Sequence, residues 1–261
     1  GPLIVVLHGG PAAAGEAAPI ARGLAASFLV LEPWQRGSGE EPLTVARHVA
    51  DLHELVKTRC GSELPAIVGH SWGAMLALAY AAAHPGYAGP LVLVGCGTFD
   101  KRARARLHDT IEERMADDLR GRLSLLDEEV PDPGERLRRR HELIRALYLY
   151  DPIDASDEGD ALPAFDPRAH EETWSDMLRL QGEGVYPAAF AAIDSPVLML
   201  HGAFDPHPGS LIRAGLEPYL GRLEYREWAR CGHYPWLEKA VRDEFFAVLR
   251  AWLAERLHPR D

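Results

Sequence analysis

The chain has 261 residues, of which 47% are hydrophobic and 26% are charged, and its formal net charge is −11. This length suffices for one large domain with its own apolar core, and no run approaches the roughly 18 apolar residues that cross a bilayer. The negative charge repels nucleic-acid phosphates and anionic lipid surfaces, so we expect a water-soluble protein with neither a nucleic-acid nor a membrane partner.

Short apolar runs bounded by glycine and proline alternate with helical patterns over the first hundred residues. Such runs predict parallel strands that are buried on both faces, here at 3–7, 28–31, 66–68 and 91–94. Apolar residues that recur every three or four positions predict the helices between them, at 19–27, 44–61 and 72–83. The alternation predicts a parallel sheet with helices on both faces.

The alternation stops after Gly97. Residues 98–190, which we call the cap segment, show no strand pattern and contain three charged helical stretches, at 102–120, 135–150 and 170–180. Strands at 196–200 and 223–228 and helices at 210–220 and 236–257 then follow. We therefore expect an α/β core domain formed by 1–97 and 191–261, with the cap segment as a helical lid inserted into it.

The motif Gly69-His70-Ser71-Trp72-Gly73 lies between an apolar strand and an Ala-rich helix. A serine in such a tight strand-to-helix turn projects above the sheet, and glycines flank it because neighbouring chain passes close by. This placement predicts that Ser71 is a catalytic nucleophile.

A serine needs a general base and a third group that orients the base. His233 follows the last predicted strand and Asp205 follows the one before it, and parallel α/β sheets place their sites at these carboxyl ends. The chain order Ser71, Asp205, His233 suits this architecture. Asp100 also follows a strand, and it is the alternative orienting acid.

The tetrahedral intermediate of acyl transfer needs N–H donors at its oxyanion. Trp72 follows the nucleophile directly, and His8-Gly9-Gly10-Pro11 ends the first strand beside the predicted strand-to-helix turn of Ser71, which we call the elbow. The backbone amides of Gly10 and Trp72 are therefore the predicted oxyanion hole.

These motifs, together with Gln35-Arg36-Gly37-Ser38-Gly39, resemble the α/β-hydrolase superfamily and, within it, the branch that includes proline iminopeptidases. The resemblance spans nearly the whole chain and implies neither cofactor nor metal. It also implies a sheet of fewer than the usual eight strands, because the first strand starts at residue 3. The chain departs from the branch at Trp34, where Asp is usual, and at His70, where Gly is usual.

Three functions remain open. The first is a carboxylesterase-type serine hydrolase acting on a small-molecule ester. The second is an aminopeptidase, in which acidic residues of the cap segment would bind the substrate ammonium group; the candidates are Glu171, Glu172 and Asp176. The third is a ligand-binding receptor with slow or no turnover. The candidate substrate-binding residues are Trp174, Glu171 and Tyr234.

No cofactor or metal is predicted. His201, Asp205 and His207 could be imagined as a metal cluster, but the orienting role accounts for Asp205 and no second ligand pattern accompanies it. The three cysteines are widely spaced without a C-x-x-C motif, which indicates no disulfide framework and favours a reducing cytoplasm. The sequence does not indicate which oligomeric state the protein adopts.

Overall fold

The computed structural model of the protein describes residues 2–61, 64–154 and 165–257. Within these ranges six strands form one sheet in the order β2-β1-β3-β4-β5-β6, and every neighbouring pair is parallel. The strands are β1 (Leu3–Leu7), β2 (Leu29–Leu31), β3 (Ala66–His70), β4 (Leu91–Val94), β5 (Val197–Gly202) and β6 (Leu223–Trp228). The predicted parallel α/β fold, with fewer than eight strands, is confirmed.

The four central strands are buried on both faces, as their unbroken apolar runs predict. Alternate residues of β1 enter different cores. Val5 packs into one apolar cluster, whereas Ile4 and Val6 pack into the cluster on the opposite face. The edge strand β6 alternates apolar and charged residues and is only partly buried. The expected burial of 28–31 on both faces is wrong for β2: it is wholly apolar, but Leu29 is 59% exposed because the strand lies at the sheet edge.

Helices cover both faces of this sheet. In chain order they are α1 (Ala18–Leu24), α2 (Val45–Arg59), α3 (Trp72–Ala83), α4 (Lys101–Arg114), α5 (Asp117–Glu129), α6 (Pro133–Arg145), α7 (Pro167–Gly182), α8 (Gly209–Leu216) and α9 (Arg242–Leu257). Among the described residues, no helix combines the length and the apolar character needed to cross a membrane.

Helix α3 lies unusually close to the sheet. A Cβ atom added to Gly69 would overlap the Gly73 carbonyl, and one added to Gly73 would overlap the Leu7 carbonyl. The small side chains of this helix permit the approach, and most of them are fully buried. The close packing brings the start of α3 against the carboxyl ends of β1 and β3.

The cap segment contains helices α4 to α7, but their bounds differ from the predicted ones. The predicted helix 102–120 is divided at Met115, whose backbone is extended, and the predicted helix 135–150 ends as α6 at Arg145 and continues as a 3-10 turn. No glycine or proline marks the first break, so the pattern gave no sign of it. Residues 155–164 of the cap segment lie outside the described residues.

Candidate functional site

Ser71 occupies the turn between β3 and α3 with φ 52° and ψ −114°. A positive φ is uncommon for a residue with a side chain, and it persists only where surrounding structure enforces it. Here the Ser71 amide donates to the Val94 carbonyl of the adjacent strand at 2.9 Å, and the close contact of Gly69 and Gly73 fixes the chain on either side. Ser71 lines a cavity at this strained turn.

Asp205 and His233 follow β5 and β6, and the structure brings them together. The Asp205 Oδ2 atom lies 2.6 Å from His233 Nδ1, and both side chains are buried. The Asp205 Oδ1 atom accepts two further hydrogen bonds, each of 2.9 Å, from the amide and the Nδ1 atom of His207. The carboxylate therefore receives hydrogen bonds on both oxygens.

This environment separates the charge states of the two groups. Burial raises the pKa of the Asp205 carboxyl, but the nearby His233, His207 and His201 outweigh burial and hold that pKa well below its usual range. Burial lowers the pKa of His233 to about 4, even though Asp205 opposes this effect. At neutral pH the pair is consequently a carboxylate beside a neutral imidazole, which is the form that can accept a proton.

A buried carboxylate anchors the chain around His233. Glu238 is 0% exposed, and its side chain accepts hydrogen bonds from the amides of Gly232, Tyr150 and Asp151 at 2.8–2.9 Å. The His233 amide itself donates to the Tyr148 carbonyl at 2.7 Å. The loop that carries the imidazole is thereby fastened to the end of the segment 146–151.

The two predicted oxyanion donors lie at the same cavity. Gly10 has φ +112°, and an added Cβ atom would stand 2.7 Å from the Ala13 nitrogen, so glycine is required at this turn. Within the described part of the chain, neither the Gly10 nor the Trp72 amide donates to another backbone group. Both N–H groups are thus available to an external acceptor.

Gln35, which the sequence analysis noted only as part of a loop motif, supports these donors. Its Oε1 atom accepts from the Trp72 indole at 2.7 Å, and its Nε2 atom donates to the His8 carbonyl at 2.8 Å. The Gln35 amide in turn donates to the His8 ring at 3.0 Å. Gln35 therefore joins the chain before Gly10 to the residue that follows Ser71.

The cavity has a volume of about 980 Å³ and lies between the sheet edge and the cap segment. Its lining includes Ser71, His233, Gly10 and Trp72 from the core and His141, Arg145, Tyr148 and Trp174 from the cap segment. Two of the predicted substrate-binding residues, Trp174 and Tyr234, line it. The third, Glu171, is exposed and is not part of the described lining.

The other two acidic residues predicted to bind an ammonium group accept hydrogen bonds from backbone amides instead. Glu172 accepts from the Leu43 amide and Asp176 accepts from the Val45 amide, each at 2.8 Å. These bonds dock α7 onto the start of α2. Neither carboxylate is among the described residues that line the cavity.

Asp100, the alternative orienting acid, is the N-cap of α4. Its Oδ1 atom accepts from the Ala103 amide at 2.8 Å, and the residue is exposed. This is an ordinary capping role that satisfies one of the free amides at the helix start. The structure thus pairs His233 with Asp205 rather than with Asp100.

Asp205, His207 and His233 are the described residues whose ligand atoms lie close enough together to hold a metal ion, within 4.8 Å of one another. The atoms concerned already bond one another, since each Nδ1 atom faces a carboxylate oxygen. A hydrogen-bonded pair of imidazoles on one carboxylate accounts for this geometry.

Sequence reasoning missed one further contact beside Ser71. The ring of His70 lies with Nδ1 2.9 Å from Glu16 Oε1 and Nε2 3.1 Å from the His233 carbonyl. Glu16 also accepts from the Gly9 amide at 2.9 Å. A histidine in the elbow was the available signal, whereas no pattern marked Glu16.

Comparison with known proteins gives the family. The family model described as alpha/beta hydrolase fold matches residues 2–209. No curated protein matches the chain significantly. Among solved structures the chain is similar to VinJ, with 19% identity, a TM-score of 0.66 and coverage of 98% of this chain and 90% of that chain.

Two further solved structures have similar scores. A proline iminopeptidase from Mycobacterium smegmatis is 17% identical with a TM-score of 0.65, and the match covers 100% of this chain and 91% of that chain. The esterase EaEST from Exiguobacterium antarcticum is 18% identical with a TM-score of 0.59, covering 97% and 91%. At these identities the likeness shows a shared fold. Because the family model matches well over half of the chain and the strands form the expected parallel sheet, we conclude that this protein belongs to the alpha/beta hydrolase fold family.

Proposed function

We propose that the protein is a serine hydrolase that cleaves a small-molecule carboxylic ester. The observation that carries this proposal is the 2.6 Å contact between Asp205 and His233 at the cavity that Ser71 also lines. A carboxylate-oriented neutral imidazole and a strained serine are the parts that nucleophilic acyl transfer needs.

In this mechanism the Ser71 hydroxyl attacks the acyl carbon while His233 takes its proton. The amides of Gly10 and Trp72 stabilise the oxyanion, an interaction worth roughly 3 kcal/mol per donor at comparable sites. The imidazolium then protonates the leaving alcohol, which leaves an acyl-enzyme. His233 next activates a water that releases the acid, and Asp205 stabilises the imidazolium in both half-reactions.

The cap segment is proposed to act as a lid that supplies the outer wall of the site. Trp174 and Tyr148 line the cavity from it, and much of the lining is apolar. The volume of about 980 Å³ suits a small organic molecule, since ligand cavities typically hold about 300–1,000 Å³. An apolar wall favours an ester with an uncharged acyl group.

The aminopeptidase is the second candidate, and the likeness to a proline iminopeptidase favours it. It needs a carboxylate free to bind an ammonium group. Two acidic side chains, Glu16 and Glu142, line the described part of the cavity. Each already has a partner: Glu16 contacts the His70 ring, and Glu142 pairs with Arg138. We therefore rank ester hydrolysis above aminopeptidase activity.

Two chromogenic substrates separate these candidates. We expect short-chain p-nitrophenyl esters to be hydrolysed with a kcat near 1 s⁻¹ or faster, the lower end of ordinary enzyme rates, and proline p-nitroanilide to be a poor substrate. Rapid turnover of the anilide with little ester hydrolysis would reverse the ranking. A single slow turnover of both would indicate a ligand-binding protein instead.

The pH dependence of kcat/KM tests the state of the general base. Because His233 must be neutral to accept a proton and its pKa is lowered to about 4, activity should persist through mildly acidic pH and fall below about pH 4. An exposed histidine would lose activity near pH 6.5 instead. Circular dichroism at each pH separates titration from unfolding, and an acid limb at or above pH 6 in folded protein contradicts the prediction.

A further inference from the structure

We propose that Glu16 and His70 form a positioning pair. The pair holds the turn at Gly9 and Gly10 and the loop of His233 in fixed positions relative to Ser71. The pair rests on the proposed function, since it acts through the groups assigned there. Its members touch Gly9 on one side and His233 on the other, and neither needs to contact substrate.

His70 faces a hydrogen-bond acceptor at each ring nitrogen. Its Nδ1 atom faces the Glu16 carboxylate at 2.9–3.0 Å, and its Nε2 atom faces the His233 carbonyl at 3.1 Å. Carboxylate and carbonyl oxygens only accept hydrogen bonds, so each ring nitrogen has to donate one. Only the doubly protonated imidazolium carries a hydrogen on both nitrogens. The geometry therefore calls for a charged His70.

The surroundings of Glu16 favour its ionised form. Burial raises the pKa of this carboxyl, but the charge and hydrogen bond of His70 and the hydrogen bond from the Gly9 amide outweigh burial and lower the pKa to about 2. Glu16 is thus the counterion that a buried imidazolium requires. Charge-assisted hydrogen bonds of this kind are stronger than neutral ones, which suits a positioning role.

The ring of His70 is confined by its neighbours. The His70 side chain is 1% exposed and packs among three aromatic or imidazole rings. Its ring centroid lies 4.6 Å from that of His233, 5.1 Å from that of Tyr234 and 4.7 Å from that of Trp236. Among the described residues, the titratable groups in contact with it are Glu16, His233 and Tyr234. With its ring fixed on every side, His70 can hold the His233 carbonyl in place.

These contacts connect the proposed oxyanion hole to the general base. Gly9 precedes the Gly10 amide that would bind the oxyanion, and the His233 carbonyl belongs to the general base itself. Glu16 and His70 link them by three hydrogen bonds across 54 and 163 residues of sequence. The positive charge of His70 also contributes to the lowered pKa of His233, so it helps to keep the base neutral.

Activity measurements on Glu16→Gln, His70→Gln and the double variant test the pair. We expect each single variant to lower kcat on the ester about 10- to 100-fold, the size of effect that follows from misplaced catalytic groups, with KM within about twofold of wild type. The double variant should be no slower than the slower single variant, because both changes break one linkage. Glu217→Gln, a carboxyl-to-amide change at the exposed ion pair between Glu217, just after α8, and Arg213, is the matched control and should leave kcat unchanged.

A measurement on the unmodified protein gives an independent test. Nitrogen-15 NMR of the imidazoles should show His70 with a proton on both ring nitrogens at pH 7.5, and Glu16→Gln should remove one of them. A neutral His70 in the wild type, unchanged kcat in both single variants, or additive losses in the double variant would each overturn the pair. This readout does not need turnover: failure to hydrolyse any ester would reject the proposed function, whereas the protonation state tests the pair on its own.

Discussion

Replacing Ser71 with alanine is expected to lower kcat/KM for a short-chain p-nitrophenyl ester by about 10⁵-fold or more, as loss of the nucleophile does in serine hydrolases with a similar constellation. The fold should survive, since the side chain lines a cavity rather than filling a core. Alanine adopts the positive φ of this turn no more easily than serine does, so stability should change little. Thermal melting by circular dichroism and ester kinetics measure both effects.

Ser124→Ala, at an exposed hydroxyl on α5, is the matched control and should retain full activity. Retained activity in Ser71→Ala would mean that another group is the nucleophile. Cys231 lies two residues before His233, but burial raises the pKa of its thiol, so it is not poised as a thiolate. A fluorophosphonate reagent should label wild-type protein at Ser71 and leave the alanine variant unlabelled.

Replacing Asp205 with asparagine should lower kcat by roughly 10⁴-fold, the loss seen when an orienting carboxylate becomes an amide. The Oδ2 atom accepts from His233 Nδ1 at 2.6 Å. With an amide nitrogen at that position, His233 is driven to carry its proton on Nε2 and can no longer take one from Ser71. KM should change far less than kcat, because substrate does not contact this buried group.

Asp100→Asn provides the control for that experiment. Asparagine caps a helix nearly as well as aspartate, so α4 should keep most of its stability and kcat should stay near the wild-type value. A large loss of kcat in Asp100→Asn together with activity in Asp205→Asn would reassign the orienting acid. The two variants therefore decide between the acids that follow β4 and β5.

Much of the core domain was predictable because its strands follow from short local patterns in the sequence. Apolar β-branched runs such as 3–7 and 91–94 can be satisfied only by burial on both faces, and the glycines around Ser71 indicate close packing. The juxtaposition of Asp205 and His233 followed from parallel topology, which brings successive strand ends to one edge. Helix ends in the cap segment were less predictable, because the break at Met115 has no glycine or proline.

The contacts that support the site were not predictable from pattern. Glu16 meets His70 only because the fold packs the turn between β1 and α1 against the elbow, and 54 residues separate the two side chains in sequence. The acidic residues of α7 looked suited to an ammonium group because they are charged and lie in the cap segment. Their actual partners are backbone amides at 43 and 45, which no helical periodicity encodes.

Glu238 fixes one part of the cap segment beside His233. Its carboxylate accepts hydrogen bonds from the Gly232 amide, just before His233, and from the amides of Tyr150 and Asp151 in the cap segment. Moving these two residues away would leave a fully buried side chain without two of its hydrogen-bond donors, and an unsatisfied buried polar group costs free energy. If the cap segment opens as the proposed lid, we expect Tyr150 and Asp151 to stay in place and α5 and α6, which pack against each other, to move.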